Sequence, residues 1–209
     1  MQNSLQARRI PGWVFLLVVG FGCASGEASA DEFDLIAKSL RLQPGMLVAD
    51  VGAGDGDWSV EIARVVGEQG HVWATEIDAD DVEEIEQRIQ EDALTNVTPL
   101  LVGPKDTGLP AECCDALLLR LVYHHFVEPE PMRKSLIESL RPEGRLVIIE
   151  IRPENSWPEL DDVPERGGHG IEPDELKAEL MDIGFEFLEQ HDNWNGDRLR
   201  YCSVFRRHP

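Results

Sequence analysis

The sequence predicts an α/β fold: a seven-stranded, mostly parallel sheet with helices on both faces, closed by a C-terminal antiparallel hairpin. Three observations predict it. Short runs rich in Val, Ile and Leu alternate with longer segments of helical period. Hydrophobic residues make up 42% of the 209, enough for one ordinary domain with a core. Asn195-Gly196 stands between the last two apolar runs, and such a pair joins antiparallel strands.

Taken in order, DEFDLIAKSL places Phe33, Ile36 and Leu40 at helical spacing, with Asp31 able to cap the start. Pro44-Gly45 breaks that helix. MLVADV reads as the first buried strand. WSVEIARVVG follows as a helix with Trp58, Ile62 and Val65 on one face, stopped by Gly67 and Gly70. HVWATEI is the second strand, and Val82, Ile85 and Ile89 mark a second amphipathic helix. VTPLLV is a short third strand carrying Pro99, followed by the loop GPKDTGLPAEC. DALLLRLVYHHF begins as the fourth strand. Pro131 to Leu140 is helical, with Met132, Leu136 and Leu140 in line, and Pro142 and Gly144 end it. GRLVIIEI is the fifth strand. Residues 152–171 are polar and rich in Pro and Gly, a loop. A helix from Pro173 to Ile183, opened by Glu172-Pro173, precedes the strands FEFLEQHD and RLRYCSVFRR. Alternation of this kind gives parallel strands, and ligands then bind at their carboxyl ends near the switch in strand order.

The first thirty residues differ from the rest. Arg8-Arg9 precedes the apolar run Trp13–Phe21, and small residues lead to Ala28-Ser29-Ala30. That is the layout of a secretory signal with an A-x-A cleavage site, giving a signal peptide over 1–30 and one domain over 31–209. Two other readings stay open: lipid modification at Cys23 and a twin-arginine signal at Arg8-Arg9. The expected location is exported, in the periplasm or lipid-anchored at the envelope, with a cytoplasmic location still open. The apolar run is too short to span a bilayer comfortably, so no stable membrane span is expected in the mature chain.

Charge and cysteines exclude several classes. The chain carries 40 acids against 19 bases, a net charge of −21. Such a surface repels phosphate backbones and anionic lipids, so nucleic acid is not an expected partner. Cys113 and Cys114 are adjacent, and Cys202 lies in an apolar segment; free thiols are expected, since neighbouring cysteines bridge only with strain. No His or Cys spacing suggests a metal.

The informative stretch is VADVGAGDG, Val48 to Gly56, on the turn from first strand to first following helix. Gly52, Gly54 and Gly56 suit positive φ or close approach of a ligand, and the helix behind them points free N–H groups at the site. The spacing G-x-G-x-G is one residue shorter than the dinucleotide fingerprint, and no phosphate loop is present. Asp50, Asp55 and Asp57 lie in or beside the loop. Three carboxylates would repel a diphosphate and suit a ligand with a positive centre.

On these residues the chain resembles the class I S-adenosylmethionine-dependent methyltransferases. Asp50-Val51-Gly52-Ala53-Gly54-Asp55-Gly56 matches the family's [DE]-x-G-x-G-x-G, and the resemblance extends over Asp31 to Arg207. It implies a Rossmann-like sheet, S-adenosyl-L-methionine as cofactor, and a small-molecule methyl acceptor. It also implies roles. Asp50 steadies the loop and the methionyl end, the glycines line the cofactor, and Glu76 at the end of ATEID takes the ribose hydroxyls. Asp78 is the alternative for that ribose role. Asp106, before Leu109-Pro110, stands near the position of the acid that takes the adenine amino group. It is displaced by one residue from the commonest spacing, and a plain turn aspartate is its other reading. Tyr123-His124-His125 resembles the V-Y-H-H-F segment of a bacterial subgroup and the V-L-H-H of quinone-type methyltransferases. His124 and His125 are the candidate catalytic bases, with pocket wall or helix cap as the other reading. Glu150 and His169 are weaker candidates at the substrate opening. A non-catalytic, exported S-adenosylmethionine-binding or sensing protein of the same fold is the alternative function. The acceptor, its attacking atom and the oligomeric state are not legible.

Overall fold

A computed structural model of the chain describes residues 25–154 and 170–209. Arg8, Arg9 and Cys23 of the proposed export signal, and His169 with most of the 152–171 loop, lie outside the described residues. Seven strands form one sheet: β1 (Leu47–Val51), β2 (His71–Glu76), β3 (Val97–Leu101), β4 (Cys114–Arg120), β5 (Leu140–Ile151), β6 (Phe185–Asp192) and β7 (Arg200–Arg207). Their order is β3-β2-β1-β4-β5-β7-β6. The first five are parallel, and β7 runs antiparallel to both neighbours, β5 and β6. This is the Rossmann-like, mostly parallel sheet with a C-terminal antiparallel hairpin that the alternation of elements predicts.

The helices are α1 (Ser25–Leu40), α2 (Asp57–Val66), α3 (Ala79–Glu91), α4 (Pro129–Ser139) and α5 (Pro173–Asp182). The strand period of two sorts them onto two faces. Val48, Ala116, Leu118, Val147 and Ile149 point to one side, where Ile36 of α1, Ile62 of α2 and Ile85 of α3 cover them. Ala49, Leu117, Leu119, Leu146 and Ile148 point to the other, under Leu136 of α4 and Leu176 of α5. Burial on both faces explains why the central strands read as unbroken apolar runs. Pro99 is tolerated because β3 is an edge strand. Asp78 caps α3, its Oδ1 accepting the Asp80 N–H at 2.9 Å. Pro173 opens α5, where the missing N–H costs nothing.

Two boundaries differ from expectation. The first helix starts at Ser25, six residues before Asp31, and runs through Ala30; Glu27, Ala28 and Ala30 have helix propensity that the apolar pattern alone does not reveal. β3 and β4 are joined by a helix-free loop, as the Gly- and Pro-containing stretch suggested. The closing hairpin is not a tight Asn-Gly turn, for β6 ends at Asp192 and β7 begins at Arg200. The intervening residues put Trp194 into the core beside α1, its Nε1 donating to Glu32 Oε1 at 3.1 Å. Burying an indole outweighs the economy of a two-residue turn.

Candidate functional site

The strand order reverses between β1 and β4, and the glycine loop leaves the carboxyl end of β1 beside that point. Gly52, Gly54 and Gly56 all have positive φ: 73°, 55° and 82°. A Cβ on Gly52 would come within 2.5 Å of Val122 Cγ2, and one on Gly56 within 2.9 Å of Ile85 Cγ1. Those two glycines therefore let the loop pack against its neighbours. Above Gly54 there is open space within 4 Å, so this is where the backbone is free to meet a ligand. The loop is tied down by Thr75, whose carbonyl accepts the Gly52 and Ala53 N–H groups at 2.9 and 3.1 Å.

Asp50 sits behind the loop, 2% exposed, and accepts the Ser59 hydroxyl at 2.7 Å. Burial pushes its carboxyl up to about 6. The Ser59 hydrogen bond and the Arg120 guanidinium oppose the rise, while Glu76 and Asp55 add to it. The other two loop acids behave differently from the sequence argument. Arg88 of α3 pairs with both, holding Asp55 at 2.8 Å and contacting Asp57 as well. One guanidinium thus offsets part of the charge of two exposed carboxylates, and Asp50 is the buried acid behind the loop.

Glu76 ends β2. Its Oε2 accepts the Gly54 N–H at 2.9 Å and its Oε1 the Ile77 N–H at 2.6 Å, so two backbone donors fix the carboxylate at the mouth of the site. Asp78 is engaged as the α3 cap instead. A cavity of about 100 Å³ opens beside Glu76, walled largely by apolar groups including Val102, Val122, Phe126 and Met132. Ile77 and Val127 expose their side chains near its rim. Asp106 lines the same cavity and also closes a turn, its Oδ1 accepting the Gly108 N–H at 2.9 Å. Both readings of Asp106 are therefore compatible with its position. Lys105, which holds the commoner family position for the acid, is ion-paired with Glu128 at 2.6 Å. Thr75 Oγ1 is buried with no hydrogen-bond partner among the described residues, and Thr75 lines the cavity.

After β4 the chain makes a short 3₁₀ turn, Tyr123–His125. Tyr123 is fully buried; its hydroxyl donates to Glu179 Oε2 at 2.7 Å, and burial raises its pKa. It serves packing. His124 is nearly buried, with Nδ1 2.6 Å from Oε2 of Glu150 at the end of β5, and Glu150 is fully buried. Glu150 Oε1 also takes the His124 N–H at 3.3 Å. Nδ1–H to carboxylate fixes the tautomer and leaves Nε2 as the basic nitrogen of the neutral ring. His125 lines the cavity, and its ring lies 4.1 Å, centroid to centroid, from that of His124. The sequence marks Glu150 by an acid inside the otherwise apolar run LVIIEI, at a strand's carboxyl end.

Glu32 lies in no sequence motif, yet it holds a buried place in the structure. It is 4% exposed and holds Arg120, at the end of β4, through both carboxylate oxygens at 3.3 and 3.0 Å. Arg120 in turn lies 4.8 Å from the Trp58 ring centre and is felt by Asp50. Glu32 thus anchors α1 at the carboxyl end of β4.

The donor set fits an adenosyl ligand bearing an ammonium and carrying no phosphate. It offers one buried carboxylate, a second held at the cavity mouth, an apolar slot, an open glycine and an orphaned Thr75 hydroxyl. No helix among the described residues is long and apolar enough to cross a membrane, and none of their His, Cys, Asp and Glu side chains cluster in threes suited to a metal.

Comparison with known proteins adds the family. A family model described as a methyltransferase domain matches residues 42–188. The ubiquinone/menaquinone biosynthesis C-methyltransferase of Vibrio campbellii is 25% identical over 109 residues, covering 52% of this chain and 42% of that protein. The chain thus spans less than half the length of the curated relatives it matches. A SAM-dependent methyltransferase from Aquifex aeolicus superposes with a TM-score of 0.70 at 22% identity, covering 83% of this chain and 88% of that one. Coclaurine N-methyltransferase, solved with N-methylheliamine and SAH, gives 0.69 at 16% identity, covering 87% and 73%. With the glycine loop, strand order and acidic seats described above, these matches identify S-adenosylmethionine as the cofactor. The chain belongs to the class I S-adenosylmethionine-dependent methyltransferases.

Proposed function

We propose that the chain is an active methyltransferase whose small-molecule acceptor must lose a proton as it attacks. The carrying observation is the buried His124–Glu150 pair at the carboxyl ends of β4 and β5, against the cavity-lining His125. S-adenosylmethionine supplies a methyl group already activated by its sulfonium, so the protein has mainly to orient the acceptor and accept its proton. Asp50 would hold the cofactor's ammonium, Glu76 its ribose, and Asp106 the adenine edge. His124 Nε2 takes the acceptor's proton, and Glu150 orients the ring and stabilises the imidazolium that results. An O–H or N–H acceptor of moderate acidity, or a phenol-type ring methylated at carbon, meets this requirement. The quinone-biosynthetic relative supports keeping the last class in view.

The test is direct. Calorimetric titration with S-adenosylmethionine, S-adenosylhomocysteine and NAD should show binding of the first two. S-adenosylhomocysteine release is then followed against a panel of phenols, quinols and amines. His124→Ala should lower kcat on the order of 10²-fold with cofactor affinity retained. Cofactor binding with no transfer to any acceptor of the panel would favour a sensing role. The reading includes export: the basic, apolar and A-x-A parts of residues 1–30 support it. Fractionation of cells expressing the full chain and one beginning at residue 31 tests it, and equal soluble cytoplasmic recovery of both would refute it.

A further inference from the structure

The adjacent cysteines form a thiol pair remote from the cofactor site. Cys114 opens β4 and is fully buried; Cys113 precedes it, partly exposed. Their sulfurs lie 2.8 Å apart. The residue before them, Glu112, has a left-handed φ of 53°. Its backbone and side chain are pinned on every side: the N–H donates to the Glu138 carbonyl, its carbonyl accepts Arg141 Nε, and its carboxylate meets Arg207 at 3.0 Å. The segment therefore presents the two side chains to each other from a fixed backbone. Arg141, ion-paired with Asp115 at 2.6 Å, places charges of both signs beside the pair. The Cys113 thiol is lowered, chiefly by its contact with Cys114, then by its own backbone N–H and Arg141, against burial and the Asp115 carboxylate, which raise it; Cys114 is raised. An accessible, activated sulfur thus touches a buried partner, the division of labour of an attacking and a resolving thiol. Cys202 differs: it is buried in the opposite core cluster, and burial pushes its thiol up to about 12.

We infer that Cys113 and Cys114 are a site of reversible thiol oxidation, closing to a vicinal disulfide by exchange with a low-molecular-weight disulfide such as oxidised glutathione. The Cys113 thiolate attacks one sulfur of the oxidant, whose S–S bond breaks to release one glutathione thiolate. Cys114 then attacks the Cys113 sulfur, its proton passing to the second glutathione thiolate as that group leaves. Two protein thiols are oxidised and one glutathione disulfide is reduced to two thiols. Across a trans peptide the two Cα atoms are about 3.8 Å apart, short of the roughly 4.4–6.8 Å that unstrained disulfides span. The ring is therefore strained, and strain makes it easily reduced. The expectation that neighbouring cysteines bridge only with strain becomes the basis of reversibility. The site lies at the amino end of β4, whereas the cofactor cavity lies beyond its carboxyl end, so the inference stands apart from the proposed activity.

The experiment uses the purified full chain, incubated with oxidised glutathione, quenched with acid and digested with trypsin. Residues 106–120 form one tryptic peptide, DTGLPAECCDALLLR, which carries both cysteines. The expected result is that this peptide loses two hydrogens, that two titratable thiols disappear, and that dithiothreitol restores both. Cys114→Ser should stop at a glutathione adduct on Cys113, and Cys113→Ser should leave Cys114 unmodified under native conditions. A stable glutathione adduct on the wild-type peptide with no loss of hydrogens would overturn the inference. So would cross-linking of Cys113 to any other cysteine, or equal modification of Cys114 in the Cys113→Ser chain.

Discussion

Replacing Asp50 by Asn should make the protein more stable and a worse binder at once. Asp50 is fully buried, and its carboxyl is raised from 3.8 to about 6, chiefly by desolvation. The sign follows from linkage. A folded-state pKa above the unfolded value means the folded state holds the proton more tightly. That stability is complete below about pH 3.8 and is lost as pH rises through about 6. At pH 8 the ionised carboxylate therefore costs at most about 3 kcal/mol, from roughly 2.2 pKa units at about 1.36 kcal/mol each. Asn removes the ionisation and can still accept from Ser59 Oγ, so the Tm should rise by up to roughly 6–12 °C at pH 8. At pH 5, still above the pI of about 4.5, the gain should fall to about half, because the wild-type folded state is by then mostly protonated. Calorimetric melting at the two pH values, with S-adenosylmethionine titration at pH 8, measures both sides. Affinity should drop on the order of tenfold to a hundredfold, since an ammonium would face a neutral amide. A Tm that falls at pH 8, or a gain identical at both pH values, would refute the reasoning.

Other outcomes follow from the same geometry. Gly52→Ala should cost about 2–3 kcal/mol by denaturant unfolding, through the 2.5 Å encounter with Val122 Cγ2; adding Val122→Ala should recover the steric part, and strict additivity would contradict it. Glu76→Gln keeps an acceptor for the Gly54 N–H, so the fold should hold while S-adenosylhomocysteine affinity falls roughly tenfold in calorimetry. Glu150→Gln should lower kcat about 10²-fold while KM for cofactor stays within a few-fold; a loss in KM alone would remove it from proton transfer. Glu32→Ala strands Arg120 and the Trp194 N–H in a buried setting and should cost about 3 kcal/mol, read by thermal or urea unfolding.

The sheet was legible because its strands are buried on both faces. Runs such as ALLLR and LVIIEI announce themselves without knowledge of their neighbours. The glycine loop was legible because backbone geometry at Gly52–Gly56 is written in local spacing. Pairings across the fold were not. Arg88 reaches Asp55 from 33 residues away, and no local pattern tells that a surface-looking arginine pairs with two loop acids. His124 meets Glu150 across 26 residues, and Glu32 meets Trp194 across 162. The Asn195-Gly196 pair misled for a related reason. It predicts a tight turn from local chemistry, while the actual connection is set by where Trp194 finds its pocket. Contacts that depend on the closed sheet become visible only once it is closed.

The placement of β7 carries a consequence for how the molecule comes into being. Its residues follow β6 in the chain, yet in space it lies between β6 and β5 and donates to both. A nascent chain extended only as far as Asp192 therefore holds β5 with an open edge and β6 with no sheet to join. The order of synthesis keeps a strand-wide gap open until Arg200–Arg207 arrives to bridge it. Folding of this half is deferred to the end of translation of that segment, and a chain truncated before Arg200 should leave β6 without a strand partner.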